Sequence, residues 1–275
     1  MTCTSCGLVF AAPMVAPTSS WYQLAYRAWH VEPEERWEYP VVLRELTTRD
    51  FVYEIGCGQG AFLAHCKSEG VAAFGIDFSS HAVETCQRRG LSAATSAVGM
   101  RASVDIGRQA STIAAYHVLE HLDRPDDLFM AAAEVAAEGA TLWVSVPNVS
   151  RVGRVLDVIE PLDEPPHHLT KWTHPALEAI GRRNGWILES VLDEPFSWRA
   201  ALYVVVSQWR SYQRLCGSRG PLTRSRWERI VRISLYPFAF LWLSRRRVRA
   251  GMRGFSMMAR YRRDRELAQK SGARV

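Results

Sequence analysis

The stretch FVYEIGCGQGAF, residues 51–62, decides the fold of this 275-residue chain. Its first five positions are mostly β-branched, aromatic or aliphatic, which predicts a buried strand. Glycines then occupy every second position, at Gly56, Gly58 and Gly60, and allow the backbone to turn tightly and to approach a ligand. A helix predicted over residues 60–70 follows, so its N-terminal amide groups face the same ligand. Strand, glycine loop and helix together predict the first unit of an α/β fold.

Further strands alternate with helical segments along the rest of the chain. They are predicted at residues 71–77, 91–97, 111–116, 140–146, 186–192 and 254–261. Such alternation predicts parallel strands with right-handed helical crossovers, and ligands bound beyond the carboxyl ends of the strands. The predicted fold class is therefore α/β, a doubly wound Rossmann-like sheet with an N-terminal helical cap and a C-terminal helical insertion.

An acidic residue ends the second predicted strand. Asp77 lies 17 residues after Gly60, where a carboxylate can accept hydrogen bonds from a ribose diol. A glycine loop alone is weak evidence, because glycines also serve ordinary turns. Together, the loop and the acid predict a nucleoside-containing ligand.

Four segments, in order and at normal spacing, resemble the class I S-adenosylmethionine-dependent methyltransferases. They are EIGCGQG (54–60), GIDFS (75–79), YHVLEHLDRPDD (116–127) and LWVSVPN (142–148). The resemblance covers about residues 50–195 and implies a methyltransferase whose cofactor is S-adenosylmethionine. A nicotinamide-binding protein would show GxGxxG or its G/A variant, which Ala61 also permits. The YHVLEHL segment favours the methyltransferases.

The resemblance implies cofactor contacts after the first two strands. The three glycines of the loop pass close to the methionine part, and Glu54 supports the loop and the amino group. Asp77 holds the ribose hydroxyls, and Phe78 lies on the adenine. The family often has an acid after the third strand. Here only Ser96 with its small neighbours, or the displaced Asp105, is available, so the adenine contact stays open.

The segment after the fourth strand has more than one interpretation. By resemblance, His117, Val118 and Leu119 line the cofactor pocket. The same residues form the pattern HxxEH, which on a helix places His117, Glu120 and His121 on one face for zinc. Alternatively, Glu120 and His121 make only structural hydrogen bonds around the loop. Because the segment follows a strand and directly precedes a proline, we expect no metal here.

A histidine pair follows the fifth strand, in DEPPHHLTKWT, residues 163–173. His168 is the first catalytic candidate and His167 the second, because a histidine can take a proton from a hydroxyl or an enolisable carbon. Related methyltransferases show a similar PPxH…FT pattern, which maps onto residues 165–168 and Thr173. The alternative is a rigid turn whose histidines cap the following helix.

Charge is distributed unevenly along the chain. Residues 1–198 carry 15 Lys and Arg against 25 Asp and Glu, whereas residues 199–253 carry 13 Arg and one acid. The basic segment includes the apolar run ISLYPFAFLWL (233–243), shorter than the roughly 20 residues that span a bilayer. An apolar helix face flanked by arginines is typical of a helix on an anionic membrane surface; a cap packed on the sheet is the alternative. We expect no nucleic-acid partner, because a nucleic-acid groove prefers scattered aromatic side chains.

Six cysteines in a chain of this length predict free thiols and a cytoplasmic location. The first residues lack the basic region of a secretory signal. Cys3 and Cys6 resemble one zinc knuckle, of which some nucleotide-sugar methyltransferases carry two. The chain contains no second CxxC, so we expect no bound zinc. If the basic segment docks, the protein is peripheral on the inner face of the membrane.

The sequence predicts four regions. They are an N-terminal cap with a CxxC remnant (1–45), a cofactor-binding core (46–198), a basic amphipathic helical insertion (199–253), and a last strand with a basic tail (254–275). The predicted function is S-adenosylmethionine-dependent methyl transfer to oxygen of a small-molecule or lipid-linked acceptor. Two alternatives remain: C-methylation of a nucleotide sugar, and a non-catalytic membrane-associated binding protein with the same fold.

Overall fold

The computed structural model describes residues 1–18, 20–22, 35–96, 107–151, 163–208, 226–245 and 253–264. The strands are β1 (Val9–Phe10), β2 (Phe51–Ile55), β3 (Ala72–Asp77), β4 (Ala93–Thr95), β5 (Ala110–Tyr116), β6 (Ala136–Pro147), β7 (Thr170–Lys171), β8 (Trp186–Asp193) and β9 (Ser256–Arg263). The helices are α1 (Glu38–Leu43), α2 (Ala61–Ser68), α3 (Ser80–Arg88), α4 (Asp126–Val135), α5 (His174–Arg183), α6 (Trp198–Gln208) and α7 (Arg226–Arg245), with a 3₁₀ turn at Leu119–His121.

Within the described residues, seven strands form a central sheet in the order β4-β3-β2-β5-β6-β9-β8. The strands from β2 to β6 pair in parallel. The predicted α/β class with a doubly wound sheet is confirmed. The strand order reverses between β2 and β5, because β3 and β4 lie on one side of β2 while β5 and β6 lie on the other. Ligands of such sheets bind in the crevice beyond the carboxyl ends at this point.

Strand β9 is antiparallel to both of its neighbours. Its first residue, Ser256, pairs with Pro147 at the carboxyl end of β6. Directly after β8, the backbone N–H of Glu194 donates to the carbonyl of Ser256 at 3.0 Å. The helical insertion between β8 and β9 does not carry the chain back to the end of the sheet at which β8 begins. The chain therefore enters β9 at the end of the sheet at which β8 finishes. The parallel direction implied by the alternation is wrong for this strand.

The sheet is covered on both faces, as a parallel sheet requires. Tyr53 and Phe129 belong to a buried cluster that packs one face against α4 and α5. Val52, Phe62 and Tyr116 belong to a second cluster that packs the other face against α1 and α2. Alternate residues of β2 therefore supply opposite faces, and the strand that carries the glycine loop lies at the centre of the core.

Strand β6 begins four residues earlier than the sequence predicts. Helix α4 ends at Val135, and Ala136 already pairs with Ala110. The register of this pair shifts between Ala110 and Thr112, and Gly139 adopts a φ of 70° within the strand. Glycine suits this position because left-handed backbone is unfavourable for other residues. Gly139 therefore belongs to an irregularity within β6 and not to the end of α4.

The predicted N-terminal cap is only partly helical in the described residues. Its first residues form β1, which pairs with β7 so that Val9 faces Lys171 and Phe10 faces Thr170. Helix appears at residues 20–22 and in α1. The N-terminal strand thereby lies against the segment that contains the predicted catalytic histidines.

The predicted helical insertion contains α6 and α7, which pack against each other. Buried Ala201 and Val205 of α6 meet Ala239 of α7, with Phe196 and Phe255 beside them. Helix α7 continues through Pro237. Among the described helices, none combines the length and the apolar character that crossing a bilayer requires.

Candidate active site

The glycine loop after β2 has left-handed backbone at all three glycines, with φ of 75° at Gly56, 50° at Gly58 and 77° at Gly60. A Cβ atom on Gly56 would lie 2.4 Å from Cγ2 of Val118, and one on Gly60 would lie 2.7 Å from Cδ1 of Leu91. A Cβ on Gly58 would meet no described atom within 4 Å. Two glycines are therefore required by packing as well as conformation, whereas Gly58 borders open space.

Asp77 ties the end of β3 to this loop. Its Oδ2 accepts the backbone N–H of Gly58 and its Oδ1 accepts that of Ser79, both at 2.8 Å. Burial raises the pKa of Asp77, and the two hydrogen bonds offset only part of that effect. Each carboxylate oxygen keeps a second acceptor position, so this side chain can still receive hydroxyl groups.

The ring of Phe78 follows Asp77 and is 38% exposed. It meets the ring of Tyr22 edge-on, with centroids 5.3 Å apart. Ser96, which follows β4, donates its backbone N–H to the carbonyl of Asp77 at 2.9 Å. Asp105, the other candidate for the adenine contact, lies outside the described residues. An exposed aromatic face thus stands beside the predicted ribose-binding acid.

Glu54 is a buried carboxyl group beneath the loop. It is 3% exposed, and its Oε2 has no hydrogen-bond partner among the residues that the structure describes. Burial raises the pKa of Glu54 well above its ordinary value, and nearby Cys86 and Asp77 raise it further. A buried acceptor without a donor is rare in folded proteins and calls for an explanation such as a bound ligand.

His117 follows β5, on the other side of the crevice, with a φ of 55° that is unusual for a residue other than glycine. Its Nδ1 donates to Oε1 of Glu120 at 3.2 Å, and its Nε2 lies 3.4 Å from Oε1 of Glu38. Burial lowers the pKa of His117, but the two carboxylates outweigh this and the net shift is upward. Burial also raises the pKa of Glu120, yet the contact with His117 brings it down to about 2. The three side chains form a buried charged group.

The residues after His117 separate into different environments. Half-buried Val118 packs on Gly56, whereas Leu119 is fully buried in the main core. The 3₁₀ turn at residues 119–121 carries His121 away from His117. The one-face arrangement of an HxxEH zinc helix is therefore not formed.

A histidine cluster, which we define as His121, His167 and His168, lies beside this turn. One ring nitrogen from each residue lies within 4.8 Å of the others. The rings of His167 and His168 stack with centroids 4.6 Å apart, and the ring of His121 meets each of them edge-on. Burial lowers the pKa of His121 to about 3, so this imidazole is neutral at physiological pH.

The carboxylate of Asp163 holds one residue of the histidine cluster in place. Its Oδ1 accepts Nδ1–H of His168 at 3.0 Å, and Arg151 forms a buried ion pair with the same carboxylate. Lys171 lies 3.7 Å from Oδ2 of Asp163 and 2.6 Å from Oε1 of Glu164. Burial raises the pKa of Asp163, but His168 and the two cations bring it down to about 2. The carboxylate is therefore ionised and fixes the orientation of His168.

Tyr22 connects the two parts of the site. Its ring lies 5.3 Å from that of Phe78, 5.8 Å from that of His121 and 6.0 Å from that of His167. No sequence motif indicates Tyr22 or Glu38 as a residue of the site. Asp163 is the first residue of the histidine stretch 163–173, so an acid close in sequence to His168 could have indicated this pair.

The site therefore has two adjoining halves. The cofactor half comprises the glycine loop with Glu54, Asp77 and Phe78. The histidine half comprises the cluster and Asp163. The first half offers an open cradle with carboxyl groups. The second offers imidazole rings next to a fixed carboxylate, a combination that can accept and pass on a proton.

Comparison with known proteins agrees with this geometry. The family model described as a methyltransferase domain matches residues 42–191, more than half of the chain. No curated protein sequence matches the chain significantly.

Several solved structures share the fold. A SAM-dependent methyltransferase from Archaeoglobus fulgidus has a TM-score of 0.51 at 16% identity, with 88% of this chain and 100% of that one covered. The magnesium protoporphyrin IX methyltransferase of Synechocystis, crystallised with S-adenosylhomocysteine, has a TM-score of 0.51 at 14% identity, covering 90% and 95%. The plantazolicin methyltransferase BamL, in complex with a triazolic desmethylPZN analogue and S-adenosylhomocysteine, has a TM-score of 0.56 at 11% identity, covering 90% and 92%.

The motif order, the sheet topology and the family match agree with one another. This chain belongs to the class I S-adenosylmethionine-dependent methyltransferases.

Proposed function

We propose that this methyltransferase transfers the methyl group to an oxygen atom of a small-molecule or lipid-linked acceptor. The observation that carries the proposal is the pair of His168 and ionised Asp163. The ring of His168 stacks on that of His167, and Tyr22 contacts both His167 and Phe78 of the cofactor half. A hydroxyl acceptor must lose its proton during transfer, and such a histidine is suited to receive it.

The cofactor half fits S-adenosylmethionine. Gly58 leaves room for close approach, and Oε2 of Glu54 lacks a donor that a cationic ammonium group supplies. Asp77 keeps acceptor capacity for ribose hydroxyls, and the exposed ring of Phe78 is a platform for a base. When bound, the cofactor supplies the methyl group. We assign Gly56, Gly60, His117, Val118 and the backbone of Leu119 to the walls that hold it.

We assign the proton transfer to His168, with His167 as the second candidate. The acceptor hydroxyl gives its proton to Nε2 of His168, and its oxygen gains the methyl group. The imidazolium that results keeps Nδ1–H on the Asp163 carboxylate, which stabilises the positive charge. His117, held between Glu38 and Glu120, is a positioning residue for the wall between the two halves.

The alternatives have less support. The C-methylation alternative rested on the single knuckle of Cys3 and Cys6, and a four-coordinate zinc site requires two further ligands. The non-catalytic alternative rested on the fold alone. The methyltransferase assignment leaves it without a supporting observation.

Helix α7 supports the lipid-linked class of acceptor. Ile233, Phe238 and Leu241 are 54%, 63% and 53% exposed, while Leu235 and Ala239 face α6. We propose that the exposed apolar side chains dock on an anionic membrane surface, with the arginines of the segment near the headgroups. The side chains of Arg226, Arg229, Arg232, Trp242 and Arg245 lie outside the described ones.

Product analysis tests the proposal. Small-molecule and lipid extracts are incubated separately with the enzyme and methyl-labelled S-adenosylmethionine, and labelled products are identified by mass spectrometry and NMR. We expect the label on an oxygen atom, with the Asp77→Ala variant giving far less product. A label on carbon or nitrogen would reject O-methylation, and a product confined to the water-soluble extract would reject a lipid-linked acceptor.

A further inference from the structure

The histidine cluster has more ligating capacity than a single general base requires. His121 comes from the turn after β5, while His167 and His168 come from the segment before β7. We propose that His121, His167 and His168 form a binding site for one divalent transition-metal ion of the zinc type. The sequence predicted no metal at the HxxEH motif, which groups His121 with His117 and Glu120 and not with His167 and His168.

Hydrogen bonds fix which nitrogen is available on two of the rings. Nδ1 of His121 lies 2.7 Å from the carbonyl oxygen of His167, and a carbonyl oxygen can only accept, so Nδ1 carries the proton. Nδ1 of His168 likewise donates to ionised Asp163. In the neutral form, each ring therefore keeps its lone pair on Nε2. This is how proteins prepare histidines for a metal, with one nitrogen donating to a carbonyl or carboxylate and the other ligating.

The distances are close to those of a metal site. One ring nitrogen from each of the three histidines lies within 4.8 Å of those of the other two. In a tetrahedral zinc site with bonds of about 2.1 Å, ligand atoms lie about 3.4 Å apart. Small ring rotations suffice to close this difference, because the three rings already contact one another.

The surroundings supply support and charge. Arg151 and Lys171 hold the carboxylate of Asp163, so the residue that orients His168 is itself fixed. Glu120 precedes His121, is fully buried, and its Oε2 has no hydrogen-bond partner within the described part of the chain. A buried anion next to the cluster lowers the cost of placing a cation there.

Three protein nitrogens leave one tetrahedral position open, as in catalytic zinc sites. The cluster contacts the ring of Tyr22, which in turn contacts Phe78 of the cofactor half. If the proposed O-methylation is correct, an acceptor hydroxyl bound there loses its proton to water more readily, because the cation stabilises the oxyanion. Metal and proton compete for Nε2 of His168, so base catalysis by this residue describes the metal-free enzyme.

Calorimetric titration with Zn²⁺ is the direct test. The full-length chain carries the Cys3→Ser and Cys6→Ser substitutions, so that the N-terminal thiols do not bind the ion. We expect one Zn²⁺ per chain with a Kd of about 1 μM or tighter. Absence of saturable binding at about 100 μM Zn²⁺ would overturn the proposal.

Variants in the same background locate the ion. We expect His121→Gln and His168→Gln each to weaken Zn²⁺ binding by about 100-fold or more, and Asp163→Asn to weaken it by about 10- to 100-fold. His81→Gln changes an exposed histidine outside the cluster and should leave binding unchanged. Equal binding in the cluster variants and the control would place the ion elsewhere and reject the site.

Cobalt spectroscopy covers the case in which a cluster variant fails to fold. Co²⁺ added to the folded parent should give the visible absorption of a low-coordinate nitrogen site, and Zn²⁺ should abolish it. A spectrum of hexa-aquo Co²⁺ would contradict the proposal without any variant. Methyl transfer measured with EDTA, taken together with the Zn²⁺ titration, separates the two proposals. If the enzyme forms the O-methylated product but binds no Zn²⁺, only the ion site is rejected. If it binds Zn²⁺ but forms no O-methylated product, only the proposed function is rejected.

Discussion

The cofactor half and the histidine half of the site are built in different ways. In the cofactor half, each functional group comes from a short run of residues at the end of β2 or β3. Short-range hydrogen bonds hold this half, such as the one that the Gly58 N–H donates to the Asp77 carboxylate. In the histidine half, Tyr22, His121 and residues 163–168 arrive from three distant parts of the chain. The first half depends on local backbone conformation, and the second depends on the packing of the whole domain.

The two halves differ in how far they depend on distant parts of the chain. The N-terminal strand β1 pairs with β7, and the hydroxyl of Thr173 donates to the carbonyl of Cys6 at 2.6 Å. The histidine segment is therefore anchored by residues about 160 positions away in sequence. The glycine loop depends on nearer parts of the chain, because its hydrogen bonds run to β3 and to the side chains of Cys86 and Arg89 near the end of α3. Changes near the N-terminus should affect acceptor chemistry more than cofactor binding.

The largest expected effect lies in the histidine half. His168→Ala should lower the turnover number by about 100-fold or more, the usual cost of a lost general base. The affinity for S-adenosylhomocysteine should stay unchanged, because His168 belongs to the other half. Turnover is measured in EDTA with the acceptor found by product analysis, and cofactor affinity by calorimetry.

His81→Ala is the matched control, since this histidine is exposed and is not one of the three residues of the cluster. His167→Ala should have a smaller effect than His168→Ala, as Asp163 hydrogen-bonds to His168. Near-normal turnover of His168→Ala would show that the base is another group, and His167 would then be the next candidate.

The next effect belongs to the cofactor half. Asp77→Ala should weaken binding of S-adenosylhomocysteine by about 1.5–3 kcal/mol, because charge-assisted hydrogen bonds to the ribose are lost. Calorimetric titration measures the change. Glu84→Ala, on the exposed face of α3, is the control. Unchanged affinity in Asp77→Ala would remove this residue from the binding site and contradict the division into two halves.

Two glycines of the loop provide a finer comparison. Gly58→Ala should cost about 1–2 kcal/mol of folding stability for its left-handed backbone, and cofactor affinity should fall about tenfold because the methyl group enters the cradle. Gly56→Ala adds a 2.4 Å contact with Val118 to the same strain, so it should unfold at a lower denaturant concentration. Equal stability of the two variants, measured by urea unfolding, would contradict the packing role of Gly56.

The sequence brings the residues of the cofactor half together, as the structure does, but it does not bring together those of the histidine half. The glycine loop, the strand before it and Asp77 lie within 30 residues, so their pattern can be recognised directly in the sequence. Tyr22 and Glu38 reach the site through tertiary packing that follows no short motif. The HxxEH spacing groups His121 with His117. In the structure the 3₁₀ turn separates these two residues, and the fold brings His121 together with His167 and His168. The direction of β9 was missed for a similar reason, since it depends on where a long insertion returns the chain.

Glu54 gives a prediction in which stability and binding change in opposite directions. Burial raises the pKa of Glu54 in the folded, ligand-free protein, so ionisation opposes folding as pH rises above the pKa of the unfolded chain. Glu54→Gln should therefore raise the melting temperature at pH 8 more than at pH 5. Binding of S-adenosylhomocysteine should weaken by about 1 kcal/mol, because a charged acceptor for its ammonium group is lost. A variant that is equally destabilised at both pH values would contradict this account.

The smallest effect concerns the surface of α7, which belongs to neither half. Phe238→Ser should weaken binding to anionic vesicles by about 1 kcal/mol, since only part of the roughly 1.5–3 kcal/mol for a fully buried phenylalanine is available at a membrane surface. Leu241→Ser should act in the same direction, and both should leave cofactor binding unchanged. Met130→Ser removes a similarly exposed apolar side chain from α4 and is the control.

Flotation with anionic and neutral vesicles at low and high salt distinguishes insertion from charge attraction. Binding through arginines alone is lost at about 1 M salt, where the Debye length falls to about 3 Å, whereas buried phenylalanine and leucine retain part of the affinity. If the parent fails to float with anionic vesicles at low salt, α7 does not dock on membranes and the acceptor is a water-soluble molecule. If the parent floats but Phe238→Ser and Leu241→Ser match it at both salt concentrations, the arginines alone hold it and the exposed side chains of α7 do not enter the bilayer.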